Sequence, residues 1–391
     1  MKREIYLDNA ATTRPLDSVA EVVKETMLAY YGNPSSLHKK GMEAENILKE
    51  SSQFFAKALG CLPEEILYTS GGTESNNMAI IGGSLAYKRQ GKKIITTTIE
   101  HPSVGEVFKY LETQGFEIIT IGVNQVGIID LEALESAIDE ETILVSIMHV
   151  NNEIGTIQPI SEIGAMIKSK NPETLFHVDA VQSFGKLPIH VKKSKIDFLS
   201  ISAHKFYGPR GIGLLYKNKQ VKMKQLFWGG GQQKNFRSGT ENVPGVAGAL
   251  NAAQYVLENQ EAPLDHMGKC KRALGQGLLN ALSDVWINGP GLEDGAPYIL
   301  NIGFKDVRAE VLLHALEQQG IFVSSGSACS SHKKVKEGVL VALGLSNDCL
   351  DNAIRFSFAH DTSLEDIKEV IEAVKSQVTL LRRYTPGGRK K

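Results

Sequence analysis

The chain has 391 residues, of which 42% are hydrophobic and 22% are charged, and its formal net charge is -1 at pH 7. This length excludes a single small module and predicts two to three domains at about 150 residues each. The composition is close to that of soluble globular proteins. The numbers of basic and acidic residues are nearly equal, which argues against an overall positive electrostatic field that attracts nucleic acid. No apolar run approaches the roughly 18 residues that a membrane helix requires, and the polar N-terminus predicts no signal peptide. We therefore expect a cytoplasmic protein that binds neither membrane nor nucleic acid directly.

Short apolar, β-branched runs alternate with helical patterns in the first half of the chain. The runs that predict strands cover residues 65–68, 94–97, 116–120, 143–147, 175–178 and 198–201. Such alternation is typical of βαβ units and predicts an α/β fold with a mostly parallel sheet and helices on both faces. Ligands of such sheets collect at the carboxyl ends of the strands, so the residues that follow each run are candidates for chemistry.

A second unit is predicted to begin near residues 256–266. Its predicted strands cover residues 298–302, 321–323 and 354–358. The apolar face of its last helix is formed at helical spacing by Leu364, Ile367, Val370, Ile371, Val374, Val378 and Leu381. We predict a large domain over residues 1–258 and a smaller α+β domain over 259–391, with residues 1–20 packing on the smaller one.

Lys205 and Asp179 follow neighbouring predicted strands and are expected to face the same crevice. In a partly dry site the pKa of a lysine amine falls, so the amine becomes nucleophilic and suits a Schiff base. A buried carboxylate needs a cationic partner, which in pyridoxal phosphate (PLP) enzymes is the protonated pyridine nitrogen. The alternative for a lysine considered alone is a surface residue that begins a turn. Together the two residues meet two requirements of a PLP site.

A phosphate site is the third requirement, and residues 70–76 offer one. They lie between a predicted strand and a helical stretch, where free backbone N–H groups face the crevice. Gly72 permits close approach, and Thr73 can cap the helix or donate its hydroxyl hydrogen. Ser202 and His204 add donors from the lysine loop. The pattern is neither G-x-G-x-x-G nor the P-loop, which disfavours a dinucleotide or a nucleoside triphosphate.

His101 follows the second predicted strand and precedes a proline. It is either a satisfied histidine in a turn or, beside a cofactor, a residue that stacks on the ring and shuttles protons. The other histidines form neither an H-x-x-x-H nor an H-E-x-x-H spacing. The four cysteines form no CxxC pair. We therefore predict no metal site and no disulfide framework.

Cys329 lies among small residues and is followed by the cationic run 332–334. This setting is typical of a mobile, exposed loop on which neighbouring cations favour the thiolate, and it predicts a nucleophile. The alternative is a free cysteine packed as a small hydrophobic residue, which is our interpretation of Cys61, Cys270 and Cys349.

Five further motifs occur in order along nearly the whole chain. They are YLDNAATT (6–13), GNPSS (32–36), HVNNEIG (149–155), RSGTEN (237–242) and SGSAC (325–329). Together with the candidates above, they resemble the cysteine desulfurases, PLP enzymes of the class-V aminotransferase group with the fold-type-I architecture. The resemblance implies a seven-stranded sheet in the large domain. It also implies conversion of L-cysteine to L-alanine, with sulfur transferred to Cys329 as a persulfide.

The resemblance assigns cofactor roles residue by residue. It implies that Lys205 forms the imine with PLP, that Asp179 pairs with the pyridine nitrogen, and that Gln182 donates to the ring oxygen. His101 is implied to stack on the ring and to take part in proton transfer. The residues implied to hold the phosphate are Thr73, Ser202, His204 and, from the other subunit of a homodimer, Thr240.

For the substrate, the resemblance implies that Asn152 and Arg355 grip the α-carboxylate. Arginine suits this task because its guanidinium binds a carboxylate bidentately. A second protein is implied to collect the sulfur. The Glu-Pro-Ser stretch usual in relatives that serve iron–sulfur assembly is replaced here by residues 330–338. Both an iron–sulfur scaffold and a tRNA-thiolating sulfurtransferase therefore remain open as acceptors.

Three other interpretations of the function remain open. A selenocysteine lyase or another class-V aminotransferase needs Asp179 and Lys205 but makes weaker demands on Cys329. A scaffold in a sulfur-transfer complex keeps the fold without turnover. A nucleic-acid module is suggested only by the basic tail and by residues 192–195, and the charge balance argues against it.

Overall fold

The computed structural model describes residues 4–325 and 338–384. In that part of the chain the strands form sheets of seven, four and two strands. The strands are β1 (Ile5–Tyr6), β2 (Ile66–Thr69), β3 (Lys93–Thr97), β4 (Glu117–Ile121), β5 (Thr142–Met148), β6 (Leu175–Asp179), β7 (Phe198–Ser202), β8 (Gly213–Lys217), β9 (Val285–Asn288), β10 (Ile299–Phe304), β11 (Ile321–Phe322), β12 (Ser324–Ser325) and β13 (Ala353–Ser357).

The helices alternate with these strands and cover them. They are α1 (Asp17–Ala29), α2 (Lys39–Leu59), α3 (Gly72–Tyr87), α4 (Pro102–Thr113), α5 (Leu131–Ala137), α6 (Ile160–Lys170), α7 (Val243–Glu258), α8 (Glu261–Ala281), α9 (Ala309–Glu317), α10 (Val339–Ala342), α11 (Asn347–Leu350) and α12 (Leu364–Arg382). Single turns of 3-10 helix occur at Pro63–Glu65, Ala203–Lys205 and Gln232–Asn235. None of these helices is long and apolar enough to cross a membrane.

The seven-stranded sheet has the order β2-β8-β7-β6-β5-β3-β4. Its neighbours from β4 to β7 are parallel, whereas β8 pairs antiparallel with both β7 and β2. Successive residues of β5 point to opposite faces, and Leu144 and Val145 enter different hydrophobic clusters. Both faces of the sheet are therefore covered by helices, as expected for buried parallel strands. The predicted α/β class with a mostly parallel sheet is confirmed.

The four-stranded sheet is antiparallel, in the order β12-β13-β10-β9. Its core also contains Ile5 and Leu7 from the start of the chain, and β1 pairs in parallel with β11. The predicted boundary after Glu258 coincides with the end of α7, and the division into two domains at that point stays a prediction. The N-terminal segment thus packs against the C-terminal sheet.

Residues 8–13, called here the N-terminal strap, join the two large sheets. At one end, Asp8 forms a parallel bridge with Ser357 beside β13. At the other, the Thr13 N–H donates to the His204 carbonyl at 2.9 Å, next to the end of β7. Because the carboxyl ends of β5, β6 and β7 meet at this edge, the strap closes one side of the crevice in which ligands of α/β sheets bind.

Candidate active site

Lys205 projects from the turn that follows β7. Its Nζ donates to the carbonyls of Ala10 at 2.6 Å and Ala11 at 2.7 Å, both in the strap. Burial lowers the pKa of Lys205 to about 8; the nearby Arg355 acts in the same direction, and Asp8 and Asp179 oppose it. A substantial fraction of this amine is therefore neutral near pH 8, which is the form that attacks a carbonyl carbon.

Asp179 is the last residue of β6 and is 5% exposed. Its Oδ1 accepts a hydrogen bond from the Val181 N–H at 2.9 Å, and its Oδ2 accepts one from Asn76 Nδ2 at 2.8 Å. Both donors are neutral, so they hold the carboxylate in place without cancelling its charge. The site thus keeps a fixed acidic group that a cationic ligand atom can pair with.

His101 is the residue before α4, and its ring caps that helix. The Ser103 N–H donates to His101 Nδ1 at 3.1 Å, and Ser103 Oγ lies 2.8 Å from the same nitrogen. Because Nδ1 accepts a backbone hydrogen bond, the neutral ring carries its proton on Nε2. Desolvation by the surrounding protein lowers the pKa of His101, and the nearby Asp179 carboxylate raises it.

A chain of hydrogen bonds links His101 to Asp179. Asn76 Nδ2 donates both to Ser103 Oγ at 2.9 Å and to Asp179 Oδ2 at 2.8 Å. From the sequence, Asn76 was predicted only as part of the phosphate segment 70–76, and no role was predicted for Ser103. A signal was present, since Asn76 follows Thr73 by three residues on α3 and therefore shares its face of the helix.

Gln182 and His204 contact the strap. Gln182 Nε2 donates to the Ala10 carbonyl at 2.8 Å, and Gln182 Oε1 is buried without a hydrogen-bond partner. His204 Nδ1 lies 3.2 Å from Thr12 Oγ1, and burial lowers the pKa of His204 to about 4. His204 is therefore neutral at physiological pH.

Gly71 and Gly72 at the start of α3 lie beside Ser202 at the end of β7, and we call these two glycines the Gly72 cradle. A Cβ atom built on Gly72 would lie 2.6 Å from Val181 Cγ2, so any larger residue there would force the Val181 side chain to move. Thr73 is exposed in the first turn of α3, and Ser202 at the end of β7 is 2% exposed. The first N–H groups of a helix have no partner within the helix, so they are available to an anion.

Thr240 is exposed in the loop that precedes α7. Three residues earlier, Arg237 Nε forms an ion pair with Glu74 Oε1 at 2.8 Å. This contact ties the loop to the first turn of α3, next to Thr73. The structure of one chain does not bring Thr240 into the set of residues around Lys205.

Arg355 lies in β13 and reaches across to two other segments. Its Nη1 donates to the Asn152 carbonyl at 2.9 Å, and its Nη2 pairs with Asp8 Oδ1 at 2.7 Å. Its Nε is buried without a hydrogen-bond partner. The structure therefore brings Asn152 and Arg355 together, and it adds Asp8, which the sequence reading did not single out as a site residue.

These groups fit PLP. Asp179 provides an acid for the ring nitrogen, Lys205 provides an amine for the aldehyde, and the Gly72 cradle provides N–H groups for the phosphate. Gln182 Oε1 and Arg355 Nε are buried and have no hydrogen-bond partner among the residues that the structure describes. Such orphaned atoms are rare in folded proteins and are expected where a ligand completes the hydrogen bonding.

Cys329 lies outside the described residues. The preceding strand, β12, ends at Ser325, and the next described element, α10, begins at Val339. Among the other cysteines, burial raises the pKa of Cys61 to about 12 and that of Cys270 to about 11. Neither of these two thiols is a thiolate at neutral pH.

Glu100, immediately before His101, is a buried acid without a cationic partner among its hydrogen bonds. Its Oε1 accepts from Thr97 Oγ1 at 2.7 Å and from the Met148 N–H at 3.0 Å, while Oε2 has no partner. Burial raises the pKa of Glu100 from an ordinary value of 4.5 to about 8. At neutral pH the folded protein therefore holds a proton on this side chain.

Replacing Glu100 with glutamine is expected to stabilise the protein at alkaline pH relative to the wild type. Between pH 4.5 and about 8 the folded wild type binds more protons at Glu100 than the unfolded chain, so its free energy of unfolding falls as pH rises. Glutamine does not ionise, so the difference between variant and wild type should grow by up to about 1.4 kcal/mol per pH unit. Urea unfolding at several pH values checks this, with the exposed Glu112→Gln as control. A difference that does not change with pH would contradict it.

Comparison with known proteins agrees with this geometry. The family model "Aminotransferase class-V" matches residues 5–370. "Cysteine desulfurase IscS" of Dictyoglomus turgidum is 40% identical over 386 residues, which cover 99% of this chain and 97% of that protein.

Solved structures show the same relationship. A NifS-like protein superposes with a TM-score of 0.91 at 38% identity and covers 97% of this chain and 100% of its own. A structure described as "SspA in complex with cysteine" has a TM-score of 0.79 at 33% identity, over 93% of this chain and 100% of its own. The chain therefore belongs to the class-V aminotransferase family and, within it, to the PLP-dependent cysteine desulfurases.

Proposed function

We propose that this protein takes L-cysteine to L-alanine and carries the released sulfur on Cys329 as a persulfide. The balanced reaction converts one cysteine and one Cys329 thiol into one alanine and one persulfide, so no external oxidant or reductant is needed. The observation that carries the proposal is that one short segment, the strap, contacts both Lys205, through the Ala10 and Ala11 carbonyls, and Arg355, through Asp8. Asp179 is near enough to Lys205 to raise the pKa of its amine. An amine, an acid and a carboxylate-binding guanidinium are the groups that a PLP enzyme acting on an amino acid needs.

When bound, PLP supplies an electron sink for bonds around the amino acid's α-carbon. The chain's own residues contribute the rest. Asp179 keeps a proton on the ring nitrogen, because its fixed carboxylate favours the cationic form. Lys205, with a pKa lowered to about 8, exchanges a proton near neutral pH. His101, protonated on Nε2, is a second proton carrier on the same crevice.

The substrate's α-carboxylate is assigned to Arg355 and Asn152. Arg355 Nε has no hydrogen-bond partner in the described part of the chain, and Asp8 engages Nη2 through one oxygen. A carboxylate can bind this edge of the guanidinium through both of its oxygens.

The phosphate is assigned to the Gly72 cradle with Thr73, Ser202 and His204. Thr240 is assigned to the same phosphate from the other subunit of a homodimer. An exposed apolar surface supports dimerisation: Met27 and Leu28 at the end of α1 are 60% and 72% exposed, and the nearby Tyr31 is 71% exposed. Clusters of this kind mark protein interfaces.

The persulfide is proposed to pass to a second protein, either an iron–sulfur scaffold or a tRNA-thiolating sulfurtransferase. The basic residues that follow Cys329 in the sequence leave both acceptors open. A cytoplasmic location, argued from the widely spaced cysteines, is part of the same proposal.

Mass spectrometry tests the proposal directly. After PLP-loaded protein is mixed with L-cysteine, we expect a mass gain of one sulfur that maps to the peptide containing Cys329. Cys329→Ala should lose both this gain and alanine release, whereas Cys61→Ala should keep them because burial holds that thiol protonated. Unchanged alanine release from Cys329→Ala would overturn sulfur transfer and favour a lyase or an aminotransferase.

A further inference from the structure

Asp8 forms a partly buried ion pair with the arginine that is proposed to bind the substrate. The side chain of Arg355 is 8% exposed and that of Asp8 is 23% exposed. Arg355 Nη2 lies 2.7 Å from Asp8 Oδ1. We propose that Asp8 is the resting counterion of Arg355, and that the carboxylate of an incoming amino acid displaces it. Asp8 is thus a positioning residue that sets how strongly the site prefers ligands with a carboxylate. This inference rests on the proposed role of Arg355.

The backbone of the strap fixes Asp8 beside Arg355. Around Ser357, two residues beyond Arg355 on β13, the Ser357 N–H donates to the Leu7 carbonyl at 2.7 Å. The Ala10 N–H donates to Ser357 Oγ at 2.8 Å, and Asn9 Nδ2 donates to the Ser357 carbonyl at 2.9 Å. These bonds on both sides of Asp8 place its carboxylate by main-chain geometry. The ion pair is therefore a built feature of the site and differs from the exposed ion pairs of the surface.

The pair leaves the guanidinium incompletely satisfied. Asp8 uses one oxygen on Nη2, the Asn152 carbonyl accepts from Nη1, and Nε is buried and has no partner within residues 4–325 and 338–384. An unsatisfied buried donor costs free energy, and a carboxylate bound bidentately to Nε and Nη2 removes that cost. Such a ligand competes with Asp8 for Nη2.

A ligand carboxylate can displace Asp8 from Arg355 because Asp8 is the more exposed of the two partners. When it turns away from Arg355, its carboxylate regains water, while the arginine stays paired with the ligand. An apo site with no counterion would instead hold an unpaired buried cation. Asp8 therefore protects the empty site and lowers the affinity of every carboxylate ligand by the free energy of the displaced contact.

The test measures binding of L-alanine and of L-alaninamide, which lacks the carboxylate, to PLP-loaded protein by calorimetry. Asp8→Asn removes the competing charge and keeps the side chain's size. We expect it to tighten binding of L-alanine relative to binding of L-alaninamide about tenfold, the scale of one hydrogen bond to a charged group. Any effect of Asp8 on the pKa of Lys205 acts on both ligands and cancels in this ratio. Asp17→Asn, which removes a carboxylate from an exposed ion pair with Arg14, should change neither affinity.

Each outcome decides between clear alternatives. A preference for L-alanine over L-alaninamide that is unchanged or smaller in Asp8→Asn overturns displacement and leaves Asp8 as a residue that only orients Arg355. If Asp8→Asn does not fold, Asp8→Glu keeps the charge on a longer arm and should alter the preference for L-alanine over L-alaninamide without abolishing it. Asp8→Glu with both affinities as in the wild type would also overturn the proposal. If the wild type itself does not prefer L-alanine, the proposed role of Arg355 fails.

Discussion

Replacing Lys205 with alanine is expected to lower the rate of alanine formation from L-cysteine by about 10⁴-fold, the upper range for loss of a positioned acid–base group. The variant also loses the amine that attacks a carbonyl carbon. Borohydride treatment should fix PLP covalently to the wild-type peptide that contains Lys205, and it should fix none to the variant.

Lys186 provides the matched control because it is the other buried lysine that interacts electrostatically with Lys205. Burial lowers the pKa of Lys186 to about 7, so its amine is also partly neutral. Its Nζ donates to the Gln182 carbonyl at 3.4 Å and lies 4.4 Å from the centre of the Tyr298 ring, whereas Lys205 Nζ donates to the strap. Lys186→Met should keep borohydride trapping at Lys205. Trapping that survives in Lys205→Ala would assign the covalent role to another amine.

The second large effect is expected for the replacement of Asp179 with asparagine, which should lower turnover about a thousandfold. The amide has the size of the carboxylate and keeps an oxygen for the Val181 N–H. It carries no charge, however, so it does not favour a proton on the ring nitrogen. The measurement is kcat for alanine formation at saturating L-cysteine and PLP.

The control for Asp179→Asn is Asp130→Asn, because Asp130 accepts a hydrogen bond from the Ala133 N–H at the start of α5 and asparagine caps helices equally well. This variant should keep wild-type turnover. Wild-type turnover in Asp179→Asn, with PLP bound, would show that the carboxylate does not govern the cofactor.

The two large effects concern groups held by different means. Asp179 is held by Asn76, which also bonds to Ser103, so the acid and His101 belong to one network. Lys205 is held by two carbonyls of the strap. The strap also carries Asp8, so a single short segment contacts both the lysine and the arginine of the site.

Most strands of the large sheet were predictable because they are short, apolar and flanked by helical patterns. β5 is buried along its entire length, and a strand buried on both faces reads as a continuous apolar run. The hydrophobic pattern of the sequence did not predict β8 or β9. β9 is only partly buried, and β8 returns antiparallel after residues 203–212, which contain one turn of 3-10 helix and no α-helix. The rule of alternating strands and helices therefore does not reveal either of them.

The sequence by itself determined the α/β class, the strand ends that carry Lys205, Asp179 and His101, and the family resemblance. These features depend on local pattern, since apolar periodicity predicts strands and the carboxyl end of a parallel strand locates a site. Motifs that lie far apart in the chain carried the resemblance.

Only the tertiary structure decided which groups hold the site together. Asn76 bonds to a residue 103 positions away, and Asp8 pairs with one 347 positions away. No local pattern encodes such contacts, because the first arises when α3 packs against the end of β6 and the second when the strap meets β13. The protonated state of Glu100 is decided in the same way, since a carboxyl keeps its proton only where folding removes water without supplying a cation.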